Sequence, residues 1–201
     1  TVTCTPASGS TFAFTTTTVN CSALDTRGNT ANGSFTVTVQ DTTPPMLNLP
    51  ANMTTEATSS SGATATYPAS ASDLVDGPVS VTCSPASGTM FPVGVTTVNC
   101  SATDSRNNTA NGSFTVTVTD TTAPVLTLPA NMSIEATSPA GAPAIFSATS
   151  TDLVDGAVAV ICSPASGSTF PVGVTTVNCS ATDSHSNTTN GSFTVTVQDT
   201  T

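Results

Sequence analysis

The stretch V-T-T-V-N-C-S-A-T-D-S at residues 95–105 recurs unchanged at 174–184, and as T-T-T-V-N-C-S-A-L-D-T at 16–26. Successive side chains of a strand point to opposite sides. Alternation therefore puts Val98, Cys100 and Ala102 on one face, and the intervening Thr, Asn and Ser toward water. A single inward cysteine flanked by Asn99 and Asp104 raises three uses: a nucleophile, a metal ligand or half of a crosslink.

The recurrence extends well beyond this stretch. Cys4, Cys83 and Cys162 are evenly spaced, and Cys21, Cys100 and Cys179 keep the same interval; S-P-A-S-G and N-G-S-F-T-V-T-V recur in register. A period of about 79 residues marks a tandem array. Residues 44–122 and 123–201 are two full units, and residues 1–43 correspond to the back half of a third. The missing front strands of 1–43 belong either to an array that continues upstream or to another chain. In the second case a neighbour donates a strand to residues 1–43, and the chains assemble into a filament. The partial unit also reads F-A-F-T-T at 12–16 where the others read F-P-V-G-V.

Within 44–122, short alternating segments separated by Gly, Pro, Ser and Asp predict strands near 46–50, 53–57, 63–70, 79–84, 95–104 and 110–119, with a short one near 89–92. Val79, Val81 and Cys83 share one face, and Phe114, Val116 and Val118 another. Thr-Thr-Pro-Pro and Thr-Thr-Ala-Pro form short, stiff junctions, because proline fixes φ and restrains its predecessor. The fold class is all-β: tandem immunoglobulin-like β-sandwich repeats of about 79 residues.

Composition narrows the function. Two basic residues, Arg27 and Arg106, stand against twelve acidic ones, for a net charge of −10. Nucleic acid needs cationic side chains and is excluded as a partner. No apolar run approaches the length of a membrane span, so no membrane insertion is expected. Charged residues make up 7% of the chain, against roughly 25% in ordinary soluble domains. Solubility then rests on Thr, Ser and Asn or on groups attached to them.

V-T-C-S-P-A-S-G-T-M-F-P-V-G-V-T-T-V-N-C-S-A-T-D-S, followed by N-T-A-N-G-S-F-T-V-T-V-T-D-T-T-A-P, resembles the hyalin repeat (HYR) domain. The resemblance covers both full units and the partial one. It implies an Ig-like fold, an extracellular or cell-surface setting and a role in adhesion or matrix architecture. One departure stands out: many family members carry a further cysteine where this chain has Gly33, Gly112 and Gly191.

Six cysteines allow fifteen full pairings, but each unit holds one C-x16-C pair on facing strands with inward side chains. The assignment is Cys4–Cys21, Cys83–Cys100 and Cys162–Cys179. A metal site would need closely spaced Cys or His ligands, and neither C-x2-C nor a companion His is present. A catalytic thiol needs a base, yet the one histidine, His185, occupies the position of Arg27 and Arg106. The crosslink implies an oxidising compartment. Adjacent Asp183, Ser184 and His185 do not make a spatially assembled triad. No catalytic residues are assigned, and the protein is not expected to be an enzyme.

Asparagine supplies a second group of candidates. N-x-[ST] triplets make Asn32, Asn52, Asn107, Asn111, Asn131, Asn187 and Asn190 glycan candidates. Asn20, Asn99 and Asn178, each in a strand beside a half-cystine, are less accessible to a transferase. Polar filler is the competing reading for any one of them. Thr and Ser could also carry O-linked sugar.

The carboxylates recur as well: Asp73 and Asp76, Asp152 and Asp155 in D-L-V-D-G; Asp104 and Asp183 after the cysteine strand; Asp41, Asp120 and Asp199 at the junctions. An Ig-like sandwich brings the loops of Asp152, Asp155 and Asp183 to the end nearest the preceding junction. Asp120 could join them around Ca²⁺, or each Asp could cap its own turn. Apart from that ion and the glycans, no cofactor is expected. Two functional readings follow. One is a disulfide-stapled, glycosylated rod or self-assembling fibre; the alternative is a cell-surface adhesin stalk or ligand-binding module.

Overall fold

The computed structural model describes residues 1–200; Thr201, the final position of the 123–201 unit, lies outside the described residues. Every regular element among them is a β-strand. The chain divides into two compact units, one of Thr1–Asn48, Ala69–Thr82 and Cys100–Gly112, the other of Leu49–Pro68, Cys83–Asn99 and Ser113–Thr201.

The second unit contains the whole last repeat. Its main sheet has the strand order Met132–Glu135, Thr188–Gln198, Gly173–Thr182, Val160–Ser163; a smaller sheet has the order Val125–Thr127, Thr149–Asp152, Gly156–Val158. Ten residue pairs join Gly173–Thr182 to Thr188–Gln198, with Val177 opposite Phe193 and Cys179 opposite Gly191. Alternation along both strands turns Val177, Cys179, Ala181, Phe193, Val195 and Val197 inward, where all are buried. Ala142, Ala144 and Phe170 complete the core, and Phe146 stands edge-on to Phe193 with centroids 4.9 Å apart. Burying each Val or Phe contributes about 1.5–3 kcal/mol, a necessary gain in a core so rich in alanine.

Gly191 has a packing role. A Cβ there would come within 2.8 Å of a Leu128 methyl and 3.2 Å of a Leu126 methyl. The two leucines fill the space that a third cysteine would need at this position. The disulfide lies next to this contact. Cys162 and Cys179 are register partners on neighbouring strands, with Cα atoms 4.0 Å apart. Cys4 and Cys21 are bridged in the same way, and Cys83 and Cys100 are also disulfide-bonded.

The middle repeat uses the same elements. Met53–Glu56 runs parallel to Val116–Thr119, and Thr89–Phe91 pairs with Ala63–Ala65. Tyr67 stands edge-on to Phe114, and its hydroxyl donates to the Pro85 carbonyl. Val98, Cys100, Ala102, Phe114, Val116 and Val118 are all buried, as the alternation requires.

Two of the expected strands divide. The segment 63–70 is interrupted over residues 66–69, giving Ala63–Ala65 and Ser70–Asp73 in different sheets. The segment 79–84 is interrupted at Ser80, with Gly77–Val79 in the smaller sheet and Val81–Ser84 in the main one. The D-L-V-D-G segment is therefore the tip of a hairpin, in which Asp73 pairs with Gly77. Gly77 supports it with a φ of +73°, a conformation that suits glycine.

In the first unit, Val2–Thr5, Thr16–Leu24 and Thr30–Thr38 form one sheet, and Met46–Asn48, Ser70–Asp73 and Gly77–Val79 another. Phe35 is 55% exposed, whereas its counterparts Phe114 and Phe193 are each 4% exposed.

Gly141 provides a test of the packing. Its φ is +109°, and a Cβ would overlap the Phe170 carbonyl oxygen. Gly141→Ala is expected to destabilise by more than about 1 kcal/mol, measured as a lowered midpoint in urea. A neutral substitution would refute this account of the close approach.

Candidate cation sites at the repeat junctions

Two groups of four aspartates converge, one in each unit. Asp120, Asp152, Asp155 and Asp183 each offer a carboxylate oxygen, all within 4.8 Å of one another. The hairpin tip carries Asp152 and Asp155, the turn after Gly173–Thr182 carries Asp183, and the linker after Thr109–Thr119 carries Asp120. Asp41, Asp73, Asp76 and Asp104 form the same arrangement one repeat earlier. The expectation named only the second group, although the repeat offset generates the first directly.

Three of the four aspartates in each group cap local backbone, whereas Asp76 and Asp155 accept from Ser105 and Ser184 in the neighbouring turn. Asp152 Oδ1 accepts from the Val154 and Asp155 N–H groups at 2.7 and 3.0 Å. Asp183 Oδ1 accepts from the His185 and Asn187 N–H groups at 2.9 and 2.8 Å, and Asp120 Oδ1 from Thr122 N–H at 3.1 Å. These are the Asx turns that Asp favours. A turn cap uses one oxygen, however. Asp120 Oδ2 and Asp152 Oδ2 are buried and accept no hydrogen bond, and so are their counterparts Asp41 Oδ2 and Asp73 Oδ2. The Asp120 side chain is 0% exposed. An unpaired buried carboxylate oxygen is costly, and four carboxylates within 4.8 Å also repel one another. Capping and cation binding are thus compatible within one side chain, through different oxygens.

Other carboxyl oxygens are well supplied with donors. Asp155 is held below the usual carboxylate range chiefly by the Ser184 hydroxyl, which donates at 2.6 Å, against a smaller push upward from burial. Asp76 is lowered by the Ser105 N–H and hydroxyl, with Arg106 adding to the effect. For Asp104 and Asp183 burial is the largest influence and acts upward, but hydrogen bonds from Asn108 and Asn187 reverse it, and both carboxyls end lowered. Asn187 Nδ2 also donates to the Asp120 backbone carbonyl at 3.2 Å, and Asn108 Nδ2 to that of Asp41 at 3.2 Å.

The junctions differ at one position. Arg106 donates to Asp76 Oδ1 at 2.9 Å, and its guanidinium carbon lies 4.5 Å from the centre of the Phe14 ring. This gives a role to the F-A-F-T-T variant, whose Phe14 corresponds to Val93 in the next repeat. In the second junction His185 takes the place of Arg106, with Nδ1 3.3 Å from both Asp120 Oδ2 and Asp155 Oδ2.

Among the glycan candidates, Asn20, Asn32, Asn52, Asn99, Asn107, Asn111, Asn131, Asn178 and Asn190 are exposed. Asn52 and Asn131 accept from the Thr115 and Thr194 N–H groups through Oδ1, which leaves out the nitrogen that would carry sugar. Asn187 differs: it is half-buried, and its nitrogen already donates to Asp183 and Asp120.

Residues 40–118 and 119–197 each match the HYR domain. The chain belongs to the HYR domain family. The matched spans keep the period of the cysteines and begin a few positions before the units marked from sequence. HYR chains of this kind are non-catalytic, extracellular or cell-surface tandem-repeat modules. This chain is 32% identical to hyalin of Lytechinus variegatus over 86% of its length and 35% of the relative's. It is 35% identical to hyalin of Strongylocentrotus purpuratus over 84% of its length and 15% of that protein's. It thus spans about a third or less of these relatives. Among solved structures, human CDH23 EC21–23 aligns with 90% of this chain and 73% of its own, at 17% identity and a TM-score of 0.38. The protocadherin GammaB4 extracellular domain aligns with 92% of this chain and 37% of its own, at 16% identity and a TM-score of 0.38. No helix among the described residues is long and apolar enough to cross a membrane.

Glu56 gives a pH test outside the clusters. Its carboxylate accepts from the Thr121 N–H, the Thr121 hydroxyl and the Thr122 hydroxyl, at 2.7, 2.8 and 3.1 Å. The Thr121 N–H is the largest of the influences that lower its pKa. A carboxyl lowered on folding contributes stability above its unfolded pKa, and that contribution is lost as pH falls through the folded value. Glu56→Ala is therefore expected to lower the melting temperature at pH 7. The difference from wild type should begin to shrink as pH falls past the unfolded value of about 4.3 and vanish only below the lowered folded value. A difference that is constant across the acid range would refute the clamp.

Proposed function

We propose that this HYR chain is a segment of an extracellular adhesion stalk whose repeat junctions are stiffened by Ca²⁺. The observation that carries the reading is the pair of buried carboxylate oxygens at each junction that accept no hydrogen bond, repeated at the same interval as the cysteines. All-oxygen sets of several carboxylates suit Ca²⁺, which accepts six to eight oxygen ligands in flexible geometry; Mg²⁺ demands a tight octahedron. The ion would bind Asp41, Asp73, Asp76 and Asp104 at one junction, and Asp120, Asp152, Asp155 and Asp183 at the other. Each set joins a linker carboxylate to two loops of the following repeat, so cation binding restrains the linker. The Asn108 and Asn187 amides, reaching Asp41 and Asp120 backbone carbonyls, restrain the same linkers without metal.

Calorimetric titration should detect two Ca²⁺ sites in wild type and one in Asp120→Asn. Ca²⁺ at tenfold above its dissociation constant adds about 1.4 kcal/mol per site, read as a raised melting temperature. A melting temperature unchanged by chelation would overturn the reading.

The fibre alternative has its own supporting feature. Met53–Glu56 and Met132–Glu135 each pair in parallel with the last strand of their own repeat, and a strand donated by a neighbour would pair with Thr30–Thr38 in the same way. The exposed asparagines are proposed to carry glycans on the stalk surface. Sedimentation of the purified chain separates the two assemblies: a monomer at high concentration supports the stalk, and concentration-dependent growth supports the fibre. Intact mass before and after deglycosylation of the native protein should differ; no change would refute glycosylation.

A further inference from the structure

We propose that the second junction is also a mixed nitrogen–oxygen site for a transition dication, Zn²⁺ in the first place, built from His185, Asp120 and Asp155. The inference rests on the junction reading above and extends it to a different class of metal.

Its starting point is the spacing of His185. Nδ1 lies 3.3 Å from Asp120 Oδ2 and 3.3 Å from Asp155 Oδ2. A single N–H can be directed at only one of them, and charge-assisted N–H···O bonds run to about 2.7–2.9 Å. The guanidinium in the equivalent place meets that standard, with Arg106 Nη1 2.9 Å from Asp76 Oδ1. Ligands held at about 2.0–2.1 Å around a tetrahedral ion stand about 3.3 Å from one another. Nδ1 thus makes only a long hydrogen bond to Asp155 Oδ2 and has the Ser184 Oγ at the same 3.3 Å, and its equal spacing to two carboxylate oxygens also fits shared coordination.

A second observation concerns the oxygen that His185 faces. Asp120 Oδ2 is buried and accepts no hydrogen bond, on a side chain that is 0% exposed. Asp155 is steadied for the same purpose, because the Ser184 hydroxyl occupies its Oδ1 at 2.6 Å, although the Ser184 N–H also reaches Oδ2 at 3.2 Å. Such outer partners orient a ligand and tune its basicity. One imidazole and two carboxylates, with a water in the fourth position, make a donor set that suits Zn²⁺ better than an all-oxygen set does. The first junction lacks this set, because guanidinium stays protonated and cannot ligate.

The test uses the 201-residue chain, titrated with Co²⁺ as a visible reporter and with Zn²⁺ as its competitor. Wild type is expected to take up one equivalent of Co²⁺ with the absorption of a four-coordinate ion, and Zn²⁺ should displace it. His185→Arg copies the residue of the first junction, so it should fold normally. Loss of a ligand's outer partner alone weakens metal binding about 10–100-fold, and His185→Arg should cost at least as much. Arg106→His should conversely create a second Co²⁺ equivalent. Equal Co²⁺ binding by wild type and His185→Arg, or none by wild type, would overturn the proposal. Parallel Ca²⁺ titrations keep the two ideas apart: Ca²⁺ uptake without Co²⁺ uptake rejects the mixed site alone, and failure of Ca²⁺ rejects the junction reading.

Discussion

The last repeat depends on one register. Ten pairs lock Gly173–Thr182 against Thr188–Gln198, and a slip of one residue would turn every inward side chain outward. Phe193, Val195 and Val197 would then face water, and Cys179 would lose its partner Cys162. The same register sets the turn that joins the strands, and the turn sets the chemistry. Asp183 caps it by accepting from His185 and Asn187, which brings the imidazole and the amide to the linker end. Fold and junction are thus consequences of one hairpin.

Charge scarcity gives the carboxylates their weight. Two arginines face twelve acids in the whole chain, so the acidic clusters cannot be neutralised by side chains. Arg106 illustrates the limit, because its bonds go to Asp76 and Ser105 and its flat face to Phe14. It leaves Asp41 Oδ2 and Asp73 Oδ2 without a partner. Water or a diffusible cation must do what the chain's own residues do not.

Period-two alternation made the long strands readable, because Phe114, Val116 and Val118 sit in a pattern that has one solution on a half-buried sheet. The division of 79–84 was not readable in the same way. Val79, Val81 and Cys83 keep a single alternation across Ser80, where the backbone passes from one sheet to the other, and alternation reports the face of a strand but not its sheet. Short pairing partners such as Ser70–Asp73 were hidden for a related reason: Ser and Asp have little strand preference, and Asp73 enters a strand because its cap and register hold it there. The second aspartate cluster followed from carboxylate positions in the repeat, and the first required only the same offset. Asn187 could not be separated from the other glycan candidates by its triplet. Its occupied nitrogen is a property of the junction in space.

The repeats are equal in backbone plan but not in their contacts. Phe14 and Arg106 occur together at the first junction, and Val93 and His185 hold the same two positions at the second. An aromatic face is a partner for a guanidinium, so Phe14 gives Arg106 a contact that keeps its charge beside Asp76. Where valine replaces the ring, that support is absent, and an imidazole turned toward two carboxylates replaces the permanent cation. The array therefore varies its junction chemistry through two side chains while the strands, the cysteines and the clustered carboxylates stay on one lattice. A tandem protein can tune individual junctions in this way without altering the domain that carries them.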